Sequence, residues 1–294
     1  MISTLNSFID HIESNLAESI DVASFAQTAG TTEYHLRRMF TSLVGISITE
    51  YVRRRRMTLA AADVIAGHPL LEIAVRYGYG SAEAFGRAFV AVHSSTPGEI
   101  RRDGGPLSTQ QKLRFRLTIE GNTTMDTRIT HRPDFRLIGH AIRVPLIHEG
   151  INPHIAGFIA SIAPDEHARL KDLSTVEPRG LLQVSAEVDP DYTEGSELTY
   201  LHGVAVDDSH DVPGDLDAIP VESGTWAVFT TSGAYPSALQ EVWAASATEW
   251  FPSNPWRLRP GPSIVAVVDR ADDFSTATTE LWLPVEAQSK PMLM

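Results

Sequence analysis

The chain has 294 residues, 43% of them hydrophobic and 21% charged, with no cysteine. That length gives room for two separate cores at roughly 150 residues each. The missing thiols exclude disulfide frameworks, thiolate metal sites and cysteine nucleophiles, and they fit a reducing, cytoplasmic setting. No apolar run reaches the roughly 18 residues of a membrane helix, so no membrane partner is expected. The first residues, MISTLNSFIDHIESNL, carry acids and no basic stretch, unlike a secretory signal. The net charge of −13 argues at first against nucleic acid, but its distribution argues the other way. Residues 1–116 hold 13 basic and 11 acidic side chains, and residues 31–102 hold ten arginines against six acids. Residues 117–294 hold 11 basic and 26 acidic ones. A basic segment tied to a strongly acidic one is the pattern of a DNA-binding module joined to a module of another kind.

Residues 1–104 read as helices throughout. Leu5, Phe8, Ile9, Ile12 and Leu16 recur at the spacing of one helical face. Asp21 caps a short second helix closed by Gly30, and Thr31 or Thr32 opens a third, with Leu36, Met39, Phe40 and Leu43 inward, ended by Gly45. A longer helix is expected over 47–66, stopped by Gly67 and Pro69. A short helix (Leu70, Ile73, Ala74), a turn at Tyr77–Gly80 and a helix from Ser81 follow, and Pro97 starts the last one. The pattern of short helix, glycine turn and second helix thus occurs twice, over 21–40 and 70–89, joined by one long helix. In this arrangement the second helix of each pair enters the major groove.

The segment Arg56–Arg101 resembles the AraC/XylS family of transcriptional regulators, through Arg56-Met57, Ala60, Ile73-Ala74, Gly78-Tyr79, Phe85, Arg87, Phe89 and Thr96-Pro97. Ser94 and Ile100 depart from the family pattern at positions away from the expected DNA surface. The resemblance implies a double helix-turn-helix with base-facing Tyr34, Arg37 and Arg38 on the first recognition helix, and Ser81, Ala82, Glu83, Gly86 and Arg87 on the second. The chemistry agrees, because arginine donates two bonds to guanine and glutamate accepts from cytosine. The alternative for Arg38 and Arg87 is an arginine solvated or paired within the protein, and Glu83 reads equally as a solvated acid. Successive side chains of the run Arg53–Arg56 point about 100° apart, so at most two reach phosphates, with Arg54 the candidate. Two motifs on one rigid helix imply a monomer spanning two successive major grooves of promoter DNA, about 34 Å apart, and an asymmetric site.

Residues 105–124 mix Gly, Pro, Ser and Thr and read as a linker with an extended piece at 113–119. Beyond them the pattern changes to strands at 126–132, 136–145, 181–188, 197–206, 225–232, 263–269 and 278–285, with helices near 151–164 and 236–252. The second half of this order repeats the first, so 125–287 is expected to be an α+β domain of two similar lobes with a cleft between them. Residues 288–294 read as a tail. The whole chain is therefore expected to be multidomain: an all-α double helix-turn-helix and an α+β domain.

All five tryptophans lie beyond residue 225. Phe158, Tyr200, Trp226, Tyr235, Trp243, Trp250 and Trp282 are candidates for lining a ligand cleft, each with core packing as its alternative. The string 219–254, followed by PGPSIVAVV and ELWLPV, resembles the GyrI-like effector-binding domain, which also follows AraC-type modules in Rob-like regulators. The resemblance implies a central cleft for hydrophobic, often cationic, small molecules. Many members meet the cation with a carboxylate in a strand where this chain has Val265. Glu241 and Glu280 are the substitutes, with a solvated surface position as the alternative, and cation–π contact with tryptophan needs no carboxylate. The expected function is a sequence-specific regulator binding promoter DNA and a small apolar or cationic effector, with RNA polymerase as a further partner. No cofactor or catalytic residue is assigned. The alternatives are a small-molecule hydrolase or a protein-binding module attached to the DNA-binding part, although no Ser-His-Asp set or close carboxylate pair is assignable. The run 207–218 lacks the ordered spacing of a calcium loop, and His148, Glu149 and His154 lack a metal-binding helix motif.

Overall fold

The structure, a computed structural model, describes residues 2–116, 125–147 and 151–288. By its contacts the chain divides into two compact units, Met1–Ala29 with Ile46–Ile119, and Gly30–Gly45 with Glu120–Met294. His148 and Glu149, residues 117–119 of the extended piece and residues 289–294 of the tail lie outside the described residues.

The first unit holds α1 (Ile2–Ser14), α2 (Val22–Thr28), α4 (Ile48–Ile65), α5 (Leu70–Arg76), α6 (Ala82–His93) and α7 (Pro97–Asp103). Their starts are written in the sequence. Asp21, Ser47, Ser81 and Thr96 each accept a backbone N–H of the first turn, and Thr96 and Glu99 complete a capping box. Ile73, Ala74, Phe85 and Phe89 are fully buried with Met57, Val64 and Ile100, which clamps α5 and α6 onto α4. Each large apolar side chain of this set stabilises the unit by about 2–3 kcal/mol. The turn between α5 and α6 needs Gly78, whose φ is +79° and whose absent Cβ would meet the Arg56 guanidinium at 3.3 Å.

The arginine run on α4 divides. Arg55 is buried against Glu13 at 2.6 Å and donates to the Gln110 carbonyl, and Arg56 donates to the carbonyls of Leu16 and Glu18. Arg53 and Arg54 remain more exposed, both paired with Glu50. The stretch read as a linker is fastened to this unit as far as it is described. Gln110 N–H donates to Thr58, Leu113 N–H to the Tyr51 hydroxyl, and Phe115 and the Asn6 amide exchange two hydrogen bonds. The described part of the piece at 113–119, residues 113–116, joins no strand.

The second unit holds α3 (Glu33–Val44) and, among the described residues, an antiparallel sheet of nine strands. Its strands are β1 (Thr127–Arg132), β2 (Phe135–Pro145), β3 (Leu182–Ala186), β4 (Glu197–Asp207), β5 (Asp217–Val221), β6 (Gly224–Ala234), β7 (Trp256–Leu258), β8 (Ser263–Arg270) and β9 (Thr276–Ala287). The order is β1-β6-β9-β8-β3-β4-β2-β5, with β7 beside β9. Helices α8 (Pro153–Ser161) and α9 (Pro164–Leu173) lie between β2 and β3. Helix α10 (Ser237–Ala245), a wide π-turn at Ser246–Trp250 and the short α11 (Phe251–Ser253) follow β6. The repeat expected from sequence is visible in the order: β2-β4-β3 and β6-β9-β8 are the same β-helix-β-β unit, and they join where β3 pairs with β8. The strands β5 and β7 and the helix α9 were not anticipated. Both strands are short pieces that extend an existing edge, and Pro164 opens α9 at the point where the helix expected near 151–164 ends.

Strand alternation fixes the two faces. Cross-strand partners put Leu201, Val184, Ile264, Trp282 and Val228 in one row on one face. This face is the core, and the sheet curls until Phe135 of β2 packs on Trp226 of β6, ring centroids 6.1 Å apart. The pairing of Gly139 with Gly203 lies on the same face. A Cβ at Gly203 would meet the Ile138 carbonyl oxygen at 2.0 Å, so the strands approach here as only glycine allows. The opposite face carries α8, α9 and α10. Beneath α9, His202 accepts or donates to His167 at 3.1 Å, and His140 meets Glu166 at 2.9 Å. Burial, aided by the nearby His167 and His140, lowers the His202 pKa to about 4.

Two outcomes follow for stability. Gly78→Ala should destabilise the chain by at least about 1 kcal/mol in a urea melt, because alanine must take a positive φ and displace Arg56. The lowered His202 pKa means that the unfolded state binds the proton first. Its contribution is therefore fully present above about pH 6.5 and is lost as pH falls towards about 4. Urea midpoints should decline over that interval, and His202→Gln should flatten the decline.

Candidate DNA-reading helices and effector cleft

The second recognition helix, α6, is set by its cap. The Ser81 hydroxyl accepts from Ala84 N–H at 3.1 Å, which leaves Ser81 and Ala82 half-buried at the helix start. On the outer face, Glu83 in the first turn and Arg87 one turn further along are exposed. The Glu83 carboxyl sits below the usual carboxylate range, held by its own backbone N–H and the Ser81 hydroxyl. Gly86 has open space around it, so the backbone of α6 can be approached closely there. Arg54 on α4 is more than two-fifths exposed but tied to Glu50.

The first recognition helix, α3, starts at Thr32, whose hydroxyl accepts from His35 N–H, and ends at Gly45 in the left-handed region. Its polar residues are occupied within the second unit. Arg37 pairs with Glu33 and with Asp191, Thr41 donates to the Asp191 carbonyl at 3.2 Å, and the Arg38 guanidinium lies 3.9 Å from the Tyr192 ring centre. Tyr34 is half-buried, its ring 6.0 Å from the same guanidinium. On the other side of α3 the buried His35 accepts the Leu258 N–H at 2.9 Å, and burial followed by the Arg257 charge lowers its pKa to about 3.

On the helix-bearing face of the sheet, strand pairing builds a floor between α8 and α10. One row runs His202, Gln183, Val265 and Leu281, and the next Ile142, Tyr200, Ser185 and Ser263. Above the second row, Phe158 of α8 meets Tyr200 edge-on at 6.2 Å, with Ile155 and Ile159 in the same cluster. Helix α8 is strongly apolar, yet none of its residues is fully buried. From the other lobe the Tyr235 hydroxyl accepts from the Gln183 amide at 2.9 Å, and its ring leans on Phe274. The Tyr200 hydroxyl is buried with no hydrogen-bond partner among the described residues, and burial beside Tyr235 raises its pKa. The Thr279 hydroxyl, on the same face, is likewise buried and finds no partner among them.

Of the effector candidates, Phe158, Tyr200 and Tyr235 therefore meet at this floor. Trp243 is half-buried on α10, and Trp250 packs on Phe229 and Phe251 beneath the helix. Trp226 and Trp282 lie on the opposite face, in the core, because alternation places them there. Glu280 shares that opposite face, spent on Arg128 at 3.0 Å and on the Trp282 indole N–H at 2.9 Å. Glu241 lines, with Glu249, Met125 and Thr231, a hollow of about 240 Å³ beside α10. Gln183, Ser185, His202, Thr279 and Phe274 were missed. Polar residues at inward strand positions were the available signal for the first three. Among the described residues no group of His, Asp and Glu is arranged to hold a metal ion. No described helix is long and apolar enough to cross a membrane.

Comparison with known proteins gives two family matches along the chain, and the N-terminal one includes the α3 segment that the contacts group with the second unit. The GyrI-like small molecule binding domain matches residues 125–286, and a helix-turn-helix domain matches residues 25–103. The chain is 34% identical over 93 residues to the transposon Tn10 TetD protein of Escherichia coli, covering 31% of this chain and 67% of that one. It is 35% identical over 92 residues to the transcriptional regulator Rob of Salmonella typhimurium, covering 31% of this chain and 32% of Rob. To the HTH-type transcriptional activator AarP of Providencia stuartii it is 32% identical over 100 residues, 34% of this chain and 74% of AarP. The matched stretch thus spans about a third of Rob's own length. The chain belongs to the GyrI-like small molecule binding family and carries an AraC-type helix-turn-helix module in the Rob-like arrangement.

Proposed function

We propose that the protein is a cytoplasmic, ligand-responsive transcriptional regulator: it reads promoter DNA through α6 and α3, and its effector seats between α8 and α10 against Tyr200, Gln183 and Tyr235. The observation that carries the effector reading is the floor itself. It gathers aromatic rings, a buried hydroxyl without a partner and an apolar helix with no fully buried residue, which is how a site for an amphipathic small molecule is built. The two rows of the floor hold no carboxylate, and Val265 lies between Gln183 and Leu281, at the position where the family resemblance leads one to expect an acid. The preferred ligand is accordingly a neutral aromatic compound that can hydrogen-bond to Tyr200 and Gln183, rather than a lipophilic cation. Binding without turnover is the matching chemistry, because the floor presents no nucleophile paired with a base.

On DNA, Arg87 and Glu83 are the direct readers of α6, while Ser81 and Ala82 lie where a helix N-terminus approaches phosphate. Tyr34, Arg37 and Arg38 read a second groove, and Arg54 contacts the backbone. A monomer on an asymmetric operator, with RNA polymerase recruited beside it, completes the reading.

Two measurements test it. Tryptophan fluorescence of the full chain should change saturably with neutral aromatic compounds and less with quaternary cations, each compound recovered unaltered by mass spectrometry. Tyr200→Ala should weaken that binding at least about tenfold. A chemically altered compound would make this half an enzyme. On a duplex selected by the full chain from random DNA, Arg87→Ala should cost about 1–3 kcal/mol and relax base preference at one position. An equal loss on random DNA would reduce Arg87 to a phosphate contact.

A further inference from the structure

The polar face of α3, from which the first helix-turn-helix is expected to read bases, is covered. Glu33, Arg37 and Thr41 follow one another at four-residue spacing along it, and Tyr34 and Arg38 form the adjacent row. The loop between β3 and β4 lies on both rows. The Asp191 carboxylate takes Arg37, the Asp191 carbonyl takes Thr41, and the Tyr192 ring takes Arg38. Arg38 is only 5% exposed and the Arg37 side chain only 18%. Neither guanidinium can meet a base or a phosphate in this arrangement.

The loop has the chemistry to do this. Residues 187–196, EVDPDYTEGS, carry four acids and no base. Its carboxylate and its aromatic face offer the two arginines what a phosphate and a base offer them on DNA: an anion for paired N–H donors and a flat π-surface for stacking. The loop is also joined to the floor described above, since Tyr192 belongs to the same apolar cluster as Tyr200, Phe158 and Ile155.

We propose that the β3–β4 loop is an autoinhibitory DNA mimic, in which Asp191 and Tyr192 hold α3 masked in the ligand-free protein. A molecule entering beside Tyr200 and Phe158 competes for the packing that positions Tyr192, and its binding frees Arg37 and Arg38. This goes beyond the regulator reading, because a regulator could keep both recognition helices exposed at all times.

The test uses the full chain and a labelled random-sequence duplex of about 30 base pairs, long enough for two successive grooves. Dissociation constants are measured over a range of salt for the parent, Asp191→Asn, Tyr192→Ala and Asp208→Ala. Asp208 pairs with Arg136 instead of α3, so its variant removes a charge of the same sign without touching the mask. Urea melts establish that each protein is folded. The expected result is that Asp191→Asn and Tyr192→Ala each bind about tenfold or more tightly than the parent, while Asp208→Ala stays near it. The slope of log affinity against log salt should steepen by up to about 2, one for each arginine returned to phosphate. Folded variants that bind like the parent, or that gain no more than Asp208→Ala, overturn the mask and leave the regulator reading standing. If none of the four proteins binds the duplex, the mask and the DNA-binding reading fall together.

Discussion

Where β3 pairs with β8, two β-helix-β-β repeats join edge to edge. Each repeat alone would end there in a row of unpaired N–H and C=O groups, open to any passing strand. Pairing the two edges satisfies those groups and creates one continuous sheet. It also fixes register, and a slip of one residue there would turn one repeat over relative to the other. Either the indoles of Trp226 and Trp282 would then lie on the side of Tyr200 and Gln183, or Tyr200 and Gln183 would lie on the side of the indoles. The chemistry of the floor thus depends on the same pairing that stabilises the unit.

That floor is polar without being charged. Tyr200, Gln183, Ser185 and Ser263 line its centre, and the histidines beneath α9 meet its rim, with burial keeping His202 neutral near pH 7. Charge is concentrated elsewhere: in the acidic β3–β4 loop, and in the arginines of α3, α4 and α6. A buried hydroxyl without a partner is costly to keep, by about 1–3 kcal/mol, so Tyr200 is a group whose hydrogen bond a ligand is well placed to supply. The β3–β4 loop connects the two regions, because one of its residues packs with Tyr200 and the next one back holds Arg37.

Much of this was legible in the sequence. The helix caps, the glycine turn at Gly78 and the long α4 announced the helical half, because capping and left-handed turns are local properties of a few residues. The repeat in the second half was visible for the same reason, as strands and helices alternate in the same order twice. What could not be read was which partner each surface finds. Five tryptophans looked alike in the sequence, yet alternation and curvature buried two in the core, placed Trp250 beneath a helix and left Trp243 half-buried. Glu280 looked available and is spent on Arg128 and Trp282. Arg37 and Arg38 fit a DNA-reading pattern, while Asp191 and Tyr192 lie some 150 residues away, a separation that local pattern cannot bridge. The residues read as a linker carry ordinary loop composition, but their backbone groups find Thr58, Tyr51 and Asn6.

Linkage supplies the most direct test of the central claim, that one chain couples a small-molecule site to DNA. If a compound changes the affinity for DNA by some factor, DNA must change the affinity for that compound by the same factor. The measurement is the dissociation constant of the full chain for its selected duplex, with and without a saturating compound that alters tryptophan fluorescence, together with the reciprocal titration. The account predicts a shift of several-fold or more, equal in both directions. An unchanged DNA affinity at full occupancy of the compound site would contradict it.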